Sequence, residues 1–481
     1  MAPCLRRFAP RLLHERPMMN LLISLLKKTP FYALAASLYH SVQKRRLPGA
    51  IKAGEKRLQS FPIKRVFKKK GDKLNIAFLS TLDNKGGAAL VAFRLHREYK
   101  RQGHGSVMLV GNRLSDDKNV ISIRDERDNH FGGTCRISGL QYRNYLSSFD
   151  LPLREEFQAA DVLHCHNLHG DYFNYYALPG LTRLKPSVWT LHDMQAITGH
   201  CAFSLDCGRW ETGCGECPLL EAYPRLEKDT TAMLWQEKKD IYSRSDIEIV
   251  VPSRWLFDIV KRSILSEKKV HLIYNGIDTS VFRPVDKKEA RKKLKIPPEK
   301  KVLITSSAGG TKNPQKGGRF LLDALGKIGH RKDIVVVSVG DSDYDPCIDG
   351  IEWISTGHIF DEKEVALWYS AADLFLYPSL ADNCPLAIIE AMACELPVIT
   401  FRTGGIPELV RHMETGFVAG YKDTAQFVKG IEIFLDDGGL REAAGREARK
   451  DVERSFTLEK MAQAYLELYY DVIARRAEAS L

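Results

Sequence analysis

The amino-acid sequence predicts an α/β fold built from two doubly wound domains. Three observations lead to this prediction. The chain has 481 residues, which is longer than a single hydrophobic core usually extends. Short apolar segments alternate with segments of helical periodicity, as in parallel sheets covered by helices on both faces. The alternation restarts after about residue 270, which divides it into two halves of similar size.

The first alternation begins at residue 73. Residues 74–80 are an apolar segment typical of a buried strand, a turn with two glycines follows, and residues 88–101 repeat apolar side chains at helical spacing. Further strands are predicted at 106–110, 160–164 and 187–192. We therefore expect an N-terminal domain over residues 73–268, preceded by an extension of residues 1–72.

The second alternation has the same character. Its near-continuous valine run at 333–340 is typical of a central parallel strand. Other strands are predicted at 271–273, 301–305, 374–378 and 396–400. This places a C-terminal domain over residues 269–455 and a last amphipathic helix within 456–481. Because such folds bind ligands at the carboxyl ends of their strands, the two domains are expected to share an interdomain cleft.

Positive charge is concentrated at the start of the chain. Residues 1–70 hold 17 Lys and Arg against 2 Asp and Glu, a net +15, whereas the whole chain has a net +11. A basic end with interleaved apolar residues suits an anionic membrane surface better than nucleic acid, which usually meets a basic folded face. The alternatives are a disordered tail, or a translation start at Met18 or Met19.

The remaining composition is that of an ordinary globular protein, with 44% hydrophobic and 27% charged residues. No apolar run approaches the roughly 18 residues of a spanning helix. The apolar stretch 18–26 is interrupted by lysines and makes a poor signal peptide. We therefore expect a cytoplasmic body, attached peripherally to the inner face of a membrane if residues 1–70 bind there.

The segment 379–393 is the most informative part of the sequence. Asp382 stands just before a helix predicted to begin near Pro385, and Glu390 follows eight residues after Asp382. Proline suits a first helical turn, and the free N–H groups near Leu386 favour an anion. Both carboxylates can accept sugar hydroxyls. The alternative is that acidic residues here only complement the helix dipole.

This segment resembles the E-x7-E donor-binding motif of the family 4 retaining glycosyltransferases. Residues 391–399 and 403–408 are similar to the continuation of that motif, and the resemblance covers most of 74–475. It is strongest to exopolysaccharide members such as those of colanic acid synthesis. The resemblance implies a GT-B fold of two Rossmann-like domains, acceptor first and donor second, with the last helix crossing back to the first domain.

The resemblance also implies roles for the donor-side residues. Asp382 stands where the family has glutamate beside the transferred sugar, Asn383 follows it, and Glu390 takes the ribose-binding position. Lys316 matches the lysine that neutralises the donor diphosphate, while the family's second cation, an arginine, is replaced by Thr311. That cation is therefore missing or supplied by Lys312.

Further candidates follow two predicted strands of the N-terminal domain. The turn with Gly86 and Gly87 lets backbone approach a ligand before a helix N-terminus, and the resemblance implies that it contacts the donor diphosphate or borders the acceptor site. His192 stands at the end of a strand, and the resemblance implies that it contacts the transferred sugar. His164 and His166 are weaker candidates, because a histidine at a strand end is more often structural.

The implied activity is retaining transfer of a sugar from a nucleotide-sugar donor to a glycan or lipid-linked oligosaccharide. The family needs no catalytic metal, and no nucleic-acid partner is expected. One alternative is another GT-B enzyme, such as a nucleotide-sugar epimerase or a phosphorylase, although the phosphorylases are much longer. A second alternative is a non-enzymatic module that binds zinc or nucleic acid.

Four of the ten cysteines lie close together. They are Cys201, Cys207, Cys214 and Cys217. The C-x2-C spacing of the last two lets both thiolates reach one tetrahedral zinc ion, and four cysteines would make the site structural rather than catalytic. His200 is a reserve ligand. The alternatives are free thiols or two disulfides, which are less common in a cytoplasmic chain.

Overall fold

A computed structural model of the protein describes residues 46–64, 66–129, 138–306, 313–341 and 344–478. Internal contacts divide the chain into residues 1–56 and residues 57–481. The described part of the first unit, residues 46–56, is helical. The second unit contains two parallel β-sheets with helices. No helix among the described residues is long and apolar enough to cross a bilayer.

The first sheet has seven parallel strands in the order β3-β2-β1-β4-β5-β6-β7. The interior strand β1 is buried from Ile76 to Ser80, as expected for a parallel strand covered on both faces. The strands are β1 (Asn75–Leu82), β2 (Gly105–Asn112), β3 (Val120–Ser122), β4 (Val162–Cys165), β5 (Ser187–Thr190), β6 (Glu248–Val251) and β7 (Val270–Leu272). We call this sheet and its helices the first lobe.

The second sheet has six parallel strands in the order β10-β9-β8-β11-β12-β13. The valine run predicted as a central strand is β9, and all six of its residues are buried. The strands are β8 (Lys301–Ser306), β9 (Ile334–Val339), β10 (Ile351–Gly357), β11 (Leu374–Tyr377), β12 (Val398–Phe401) and β13 (Gly416–Ala419). We call this sheet and its helices the second lobe.

Helices connect the strands of both sheets. The first lobe contains α1 (Gly87–Arg101), α2 (Glu126–Asn129), α3 (Glu155–Ala159), α4 (Leu178–Leu184), α5 (Thr231–Ser243) and α6 (Arg254–Val260). The second lobe contains α7 (Lys287–Leu294), α8 (Gly318–Ile328), α9 (Glu362–Ala371), α10 (Leu386–Ala393), α11 (Ile406–Leu409), α12 (Thr424–Asp436) and α13 (Gly438–Ser455). The last helix of the described residues is α14 (Leu458–Glu478).

The strand order reverses direction once in each sheet. Chain order changes sides between β1 and β4 in the first sheet and between β8 and β11 in the second. Ligands of doubly wound sheets bind at such switch points, beyond the carboxyl ends of the strands. The loops after β1, β8 and β11 lie at these switch points and carry Gly86, Lys316 and Asp382, whereas His192 follows β5, the strand beyond β4.

Helix α14 follows the second lobe in sequence but packs on the first. The Tyr469 hydroxyl lies 2.6 Å from Nδ1 of His164, and the Tyr465 hydroxyl lies 2.8 Å from Oγ1 of Thr190. Both tyrosines are buried. These polar contacts join the end of the chain to β4 and β5. The domain limits named from the sequence stay predictions.

Gly317 lies where the backbone leaves no space for a side chain. Its φ is +70°, and a Cβ there would lie 1.8 Å from the carbonyl oxygen of Pro378. We expect Gly317→Ala to lower the free energy of unfolding by about 1–3 kcal/mol, because the substitution adds both backbone strain and a backbone clash. Chemical denaturation measures this value.

Gly326→Ala is the matched control, because Gly326 lies in α8 with nothing within 4 Å of a Cβ. Alanine there is expected to stabilise the helix by about 0.5–1 kcal/mol. Equal stability of the two variants would contradict the assignment of Gly317 as an obligatory glycine.

Candidate functional site

Asp382 is the centre of a hydrogen-bonded cluster in the loop between β11 and α10. Its Oδ2 atom accepts hydrogen bonds from Lys316 Nζ at 2.7 Å, Tyr377 OH at 2.9 Å and Ser379 Oγ at 2.7 Å. Burial, with the Asp382 carboxylate beside it, raises the pKa of Tyr377 well above its usual value. Tyr377 therefore remains a proton donor. The structure brings Lys316 and Asp382 together as an ion pair.

The loop that carries Asp382 leads directly into α10. Pro385 is the N-cap of this helix, whose first residue is Leu386. The N–H groups of a first helical turn lack partners within the helix, so they suit an anion. Leu386 and Asp382 thus lie at one edge of the second sheet, beyond the end of β11.

Glu390 lies further along α10 and is 8% exposed. Its Oε1 atom accepts a hydrogen bond of 2.6 Å from Arg94 Nη2. Arg94 belongs to α1 of the first lobe, and its Nε donates to Glu362 at 2.9 Å. Burial lowers the pKa of Arg94, but the two carboxylates more than offset this and raise it overall. The guanidinium is therefore charged.

The sequence interpretation did not include Arg94. A signal was present, because Arg94 falls on the apolar side of α1, three and four residues from Val91 and Leu90. A charge on the buried face of a helix needs a buried partner. That reasoning would have marked Arg94 as paired, but it could not have named Glu390 as the partner.

His192 lies in the loop after β5, which ends at Thr190 rather than at His192 as predicted. His166 Nδ1 and His192 Nε2 are 2.8 Å apart. Burial lowers the pKa of His192 to about 3, with His169 adding to the effect, and burial also lowers the pKa of His166. Both imidazoles are neutral at physiological pH. His164 is instead bonded to Thr190 and the last helix.

Asn383 connects the two lobes. Its Nδ2 donates to the carbonyl oxygen of His192 at 3.2 Å, and its Oδ1 accepts from the Ser253 hydroxyl. Glu408 makes a similar connection, because its carboxylate accepts from the N–H groups of Arg254 and Trp255 at the start of α6. The Asn383 amide therefore contacts protein atoms here, and its predicted role in substrate binding stays a prediction.

The glycine turn after β1 precedes α1. Gly86 has a φ of +88° and is the N-cap of α1, and Gly87 is the first residue of that helix. A Cβ on either glycine would meet nothing within 4 Å among the described residues. The turn therefore leaves space in which a ligand can approach the backbone. Two other predicted positions, Thr311 and Lys312, lie outside the described residues.

A cavity of about 460 Å³ lies between the two lobes beside Asp382. Its size is within the usual range of small-molecule sites. Aromatic side chains contribute to both walls, with Phe203, Trp210 and Trp255 from the first lobe and Tyr421 from the second. The rings of Phe203 and Trp255 are stacked with centroids 6.4 Å apart.

The four clustered cysteines and His200 line one small cavity of about 20 Å³ in the loop after β5. All four are free thiols, so the structure contains neither of the two alternative disulfides. Nε2 of His200 lies 3.5 Å from Cys217 Sγ. Within the described ranges, however, no three His, Cys, Asp or Glu side chains are arranged to hold a metal ion. Zinc binding stays a prediction.

Comparison with known proteins agrees with the two-lobed architecture. A family model described as Glycosyltransferase Family 4 matches residues 85–281, and one described as Glycosyl transferases group 1 matches residues 300–437. Solved structures of similar fold include a sucrose-phosphate synthase from Thermosynechococcus elongatus, with a TM-score of 0.60, 20% identity, and coverage of 84% of this chain and 100% of the other. The fold is thus that of the GT-B glycosyltransferases.

A second similar structure is HepE of Anabaena, solved with UDP and glucose, with a TM-score of 0.58, 17% identity, and coverage of 82% of this chain and 99% of the other. These structures share the fold of this chain. The two family models show that the chain contains a Glycosyltransferase Family 4 domain over residues 85–281 and a Glycosyl transferases group 1 domain over residues 300–437.

Curated relatives match different parts of the chain. N-acetyl-alpha-D-glucosaminyl L-malate synthase of Bacillus anthracis is 30% identical over 239 residues, which are 48% of this chain and 61% of the synthase. The glycosyl transferase WcaC of Escherichia coli, named for colanic acid biosynthesis, is 24% identical over 362 residues, which are 70% of this chain and 85% of WcaC. The chain thus spans less than two thirds of the synthase.

The Asp382 cluster predicts the effect of restoring the family's glutamate. A longer side chain cannot keep the three hydrogen bonds that Oδ2 accepts at 2.7–2.9 Å. We expect Asp382→Glu to lower the rate of nucleoside diphosphate release from a nucleotide sugar by about tenfold to a hundredfold.

Tyr377→Phe is the graded control, since it removes one of the three donors and leaves the carboxylate in place. A smaller loss, about threefold to tenfold, is expected. If Asp382→Glu releases nucleotide at the rate of the unchanged protein, the cluster does not require aspartate.

Proposed function

We propose that this chain is a retaining glycosyltransferase that transfers a sugar from a nucleotide-sugar donor to a glycan or lipid-linked oligosaccharide. The observation that carries the proposal is the meeting of Lys316 and Asp382 at the start of α10, with the His192 loop held against them through Asn383. A cation, a carboxylate and a helix N-terminus at one sheet edge suit a ligand that has both phosphate and hydroxyl groups.

Lys316 and the first turn of α10 would bind the diphosphate. When phosphate oxygens replace the Asp382 carboxylate at Lys316 Nζ, the positive charge stabilises the diphosphate as it leaves the sugar. Asp382 then becomes free to accept a hydroxyl of the transferred sugar. Exchange of this one ion pair would therefore make Lys316 available to the diphosphate and Asp382 available to the sugar.

Glu390 would accept the ribose hydroxyls, because a carboxylate offers two acceptor oxygens. Gly86 and Gly87 would border the diphosphate from the first lobe. The similarity in fold to HepE, which was solved with UDP and glucose, supports a nucleoside diphosphate sugar as the donor class. The assignment of these residues rests on the family resemblance and on their gathering at the switch points.

In the proposed reaction, the acceptor hydroxyl attacks the sugar from the same face that the diphosphate leaves, so the anomeric configuration is retained. A donor phosphate oxygen removes the proton of the acceptor hydroxyl, so no separate base from the protein is assigned. His192, neutral because burial lowers its pKa to about 3, would hydrogen-bond to the transferred sugar without adding charge. Charge neutralisation is assigned to Lys316 and helix N–H groups rather than to a metal ion.

The cavity between the lobes would hold the acceptor. Its aromatic walls, including Trp255 and Tyr421, can pack on the apolar faces of sugar rings, and Asp382 lies on its wall. Similarity to WcaC supports a glycan acceptor in polysaccharide synthesis. Attachment to an anionic membrane through residues 1–70 stays a prediction, because residues 1–45 lie outside the described part of the chain.

A panel of nucleotide sugars and nucleoside diphosphates tests the proposal. We expect at least one nucleotide sugar to raise the melting temperature and to release its nucleoside diphosphate on incubation. Lys316→Ala and Glu390→Ala are each expected to lower the release rate by about tenfold to a hundredfold, because each loses a charge-assisted hydrogen bond. NMR of a product formed with an added glycan should show the donor's anomeric configuration.

Lys327→Ala is the matched control for Lys316→Ala, because Lys327 is exposed on α8 and pairs only with Asp323 among the partners described. It should behave like the unchanged protein. Absence of nucleotide release with every donor would indicate a binding module instead of an enzyme, and an inverted product would refute retention.

We also propose that the cysteine loop holds a structural zinc ion. Cys201, Cys207, Cys214 and Cys217 would provide the donor set, since they line one cavity whose size suits a single ion. Their thiols are not arranged around a common point in this structure, so binding the ion would draw them together. The ion would stabilise a loop that also forms a wall of the acceptor cavity, through Phe203 and Trp210.

Elemental analysis of the purified protein is expected to find about one zinc per chain, and a strong chelator should lower its thermal stability. Cys214→Ser should abolish zinc retention, whereas Cys347→Ser, at an exposed cysteine outside the cluster, should not. Metal-free protein of unchanged stability would exclude a structural zinc site.

A further inference from the structure

One buried guanidinium joins the two lobes at the carboxylate assigned to the ribose. Arg94 is 5% exposed. Its Nη2 donates to Glu390 at 2.6 Å and its Nε donates to Glu362 at 2.9 Å. Arg94 comes from α1 of the first lobe, whereas the two glutamates lie on α10 and at the start of α9 of the second. Arg94 and Glu390, which form this pair, are thus 296 residues apart in the sequence.

The pairing leaves charge and hydrogen-bonding capacity unbalanced. Two carboxylates face one guanidinium, and of these Glu390 is buried whereas Glu362 is partly exposed. Arg94 Nη1 is also buried and has no hydrogen-bond partner among the residues that the structure describes. The ring of Phe282 lies 5.3 Å from the guanidinium carbon and restricts its movement. A buried donor without a described partner, such as Nη1, is uncommon, because buried donors in proteins are nearly always satisfied.

We propose that Arg94 is a positioning residue of the nucleotide site. It holds Glu390 in its charged form and aims it at the ribose, and it makes this arrangement depend on contact between the lobes. The proposal rests on the function proposed above, which assigns Glu390 to the nucleotide. It adds a charged side chain of the first lobe to a nucleotide site whose other charged side chains, Lys316 and Glu390, lie in the second lobe.

The electrostatics of Glu390 explain why such a residue is needed. Burial raises the pKa of Glu390, and Glu362 raises it further, while Arg94 opposes both effects. The other titratable groups that interact with Glu390 are Tyr369, Tyr377 and Cys394, whose pKa values burial raises, so they remain neutral. Without Arg94, Glu390 would take up a proton more readily, and a protonated carboxyl has lost acceptor capacity for ribose hydroxyls.

Calorimetric titration with UDP measures the binding affinity of the full chain and tests the proposal. Four proteins are compared: the unchanged protein, Arg94→Met, Glu390→Gln and the double variant. We expect Arg94→Met to weaken UDP binding by about tenfold near pH 8. Relative to the unchanged protein, the loss should grow as the pH falls, because Glu390 becomes protonated. Because variant and unchanged protein are compared at the same pH, the protonation of UDP affects both affinities equally.

The double variant separates a positioning role from a general loss of stability. If Arg94 acts through Glu390, the double variant should bind UDP within about threefold of Glu390→Gln alone. Arg94→Lys should recover part of the affinity, because lysine keeps the charge but not the fork of donors. If Arg94→Met does not fold, Arg94→Lys is compared with the unchanged protein across the same pH range. Its affinity for UDP should then be intermediate, and the loss of affinity should depend on pH.

Arg101→Met is the matched control, since Arg101 is on the same helix, largely exposed and paired with Glu98. It should bind UDP like the unchanged protein. Unchanged affinity in the Arg94 variants at every pH, or additive losses in the double variant, would overturn the proposal. If the unchanged protein binds no nucleoside diphosphate at all, the proposed function fails first, and this inference fails with it.

Discussion

The structure around the site depends on burying the Asp382 carboxylate with enough donors to satisfy it. Three side chains converge on its Oδ2 atom, from the turn before α8, the end of β11 and the loop itself. The backbone is equally constrained, since a Cβ at Gly404 would lie 1.7 Å from the Asp382 carbonyl oxygen. The loops after β8, β11 and β12 therefore pack backbone against backbone, which fixes where Lys316 and the start of α10 can lie.

The same requirement governs the contact between the lobes. Arg94 meets Glu390 and Glu362, the Asn383 amide meets the His192 carbonyl, and Glu408 caps the start of α6. Each contact uses a polar group that could not be buried alone without a free-energy penalty. Because several of these groups belong to the candidate site, a substitution there also changes contacts between the lobes.

The local periodicity of apolar side chains predicted those strands and helices that bury one regular face. The apolar runs of β1, β2, β8 and β9 and the helix after Pro385 follow the periodicity of their side chains. The sequence interpretation passed over β3, β6, β10 and β13. Two of these, β3 and β13, are short strands at the edge of their sheets, where pairing with the one neighbouring strand defines the strand more than its own composition.

The sequence by itself determined the two-sheet architecture and the identity of the residues at the strand ends, because apolar periodicity and motif spacing are local properties. Only the tertiary structure decided which charges meet. Lys316 and Asp382 are 66 residues apart and Arg94 and Glu390 are 296 residues apart. The spacing that marked Glu390 as a ligand-binding carboxylate therefore contained no information about Arg94, since the two side chains come together only when the lobes pack and a buried charge must find its partner.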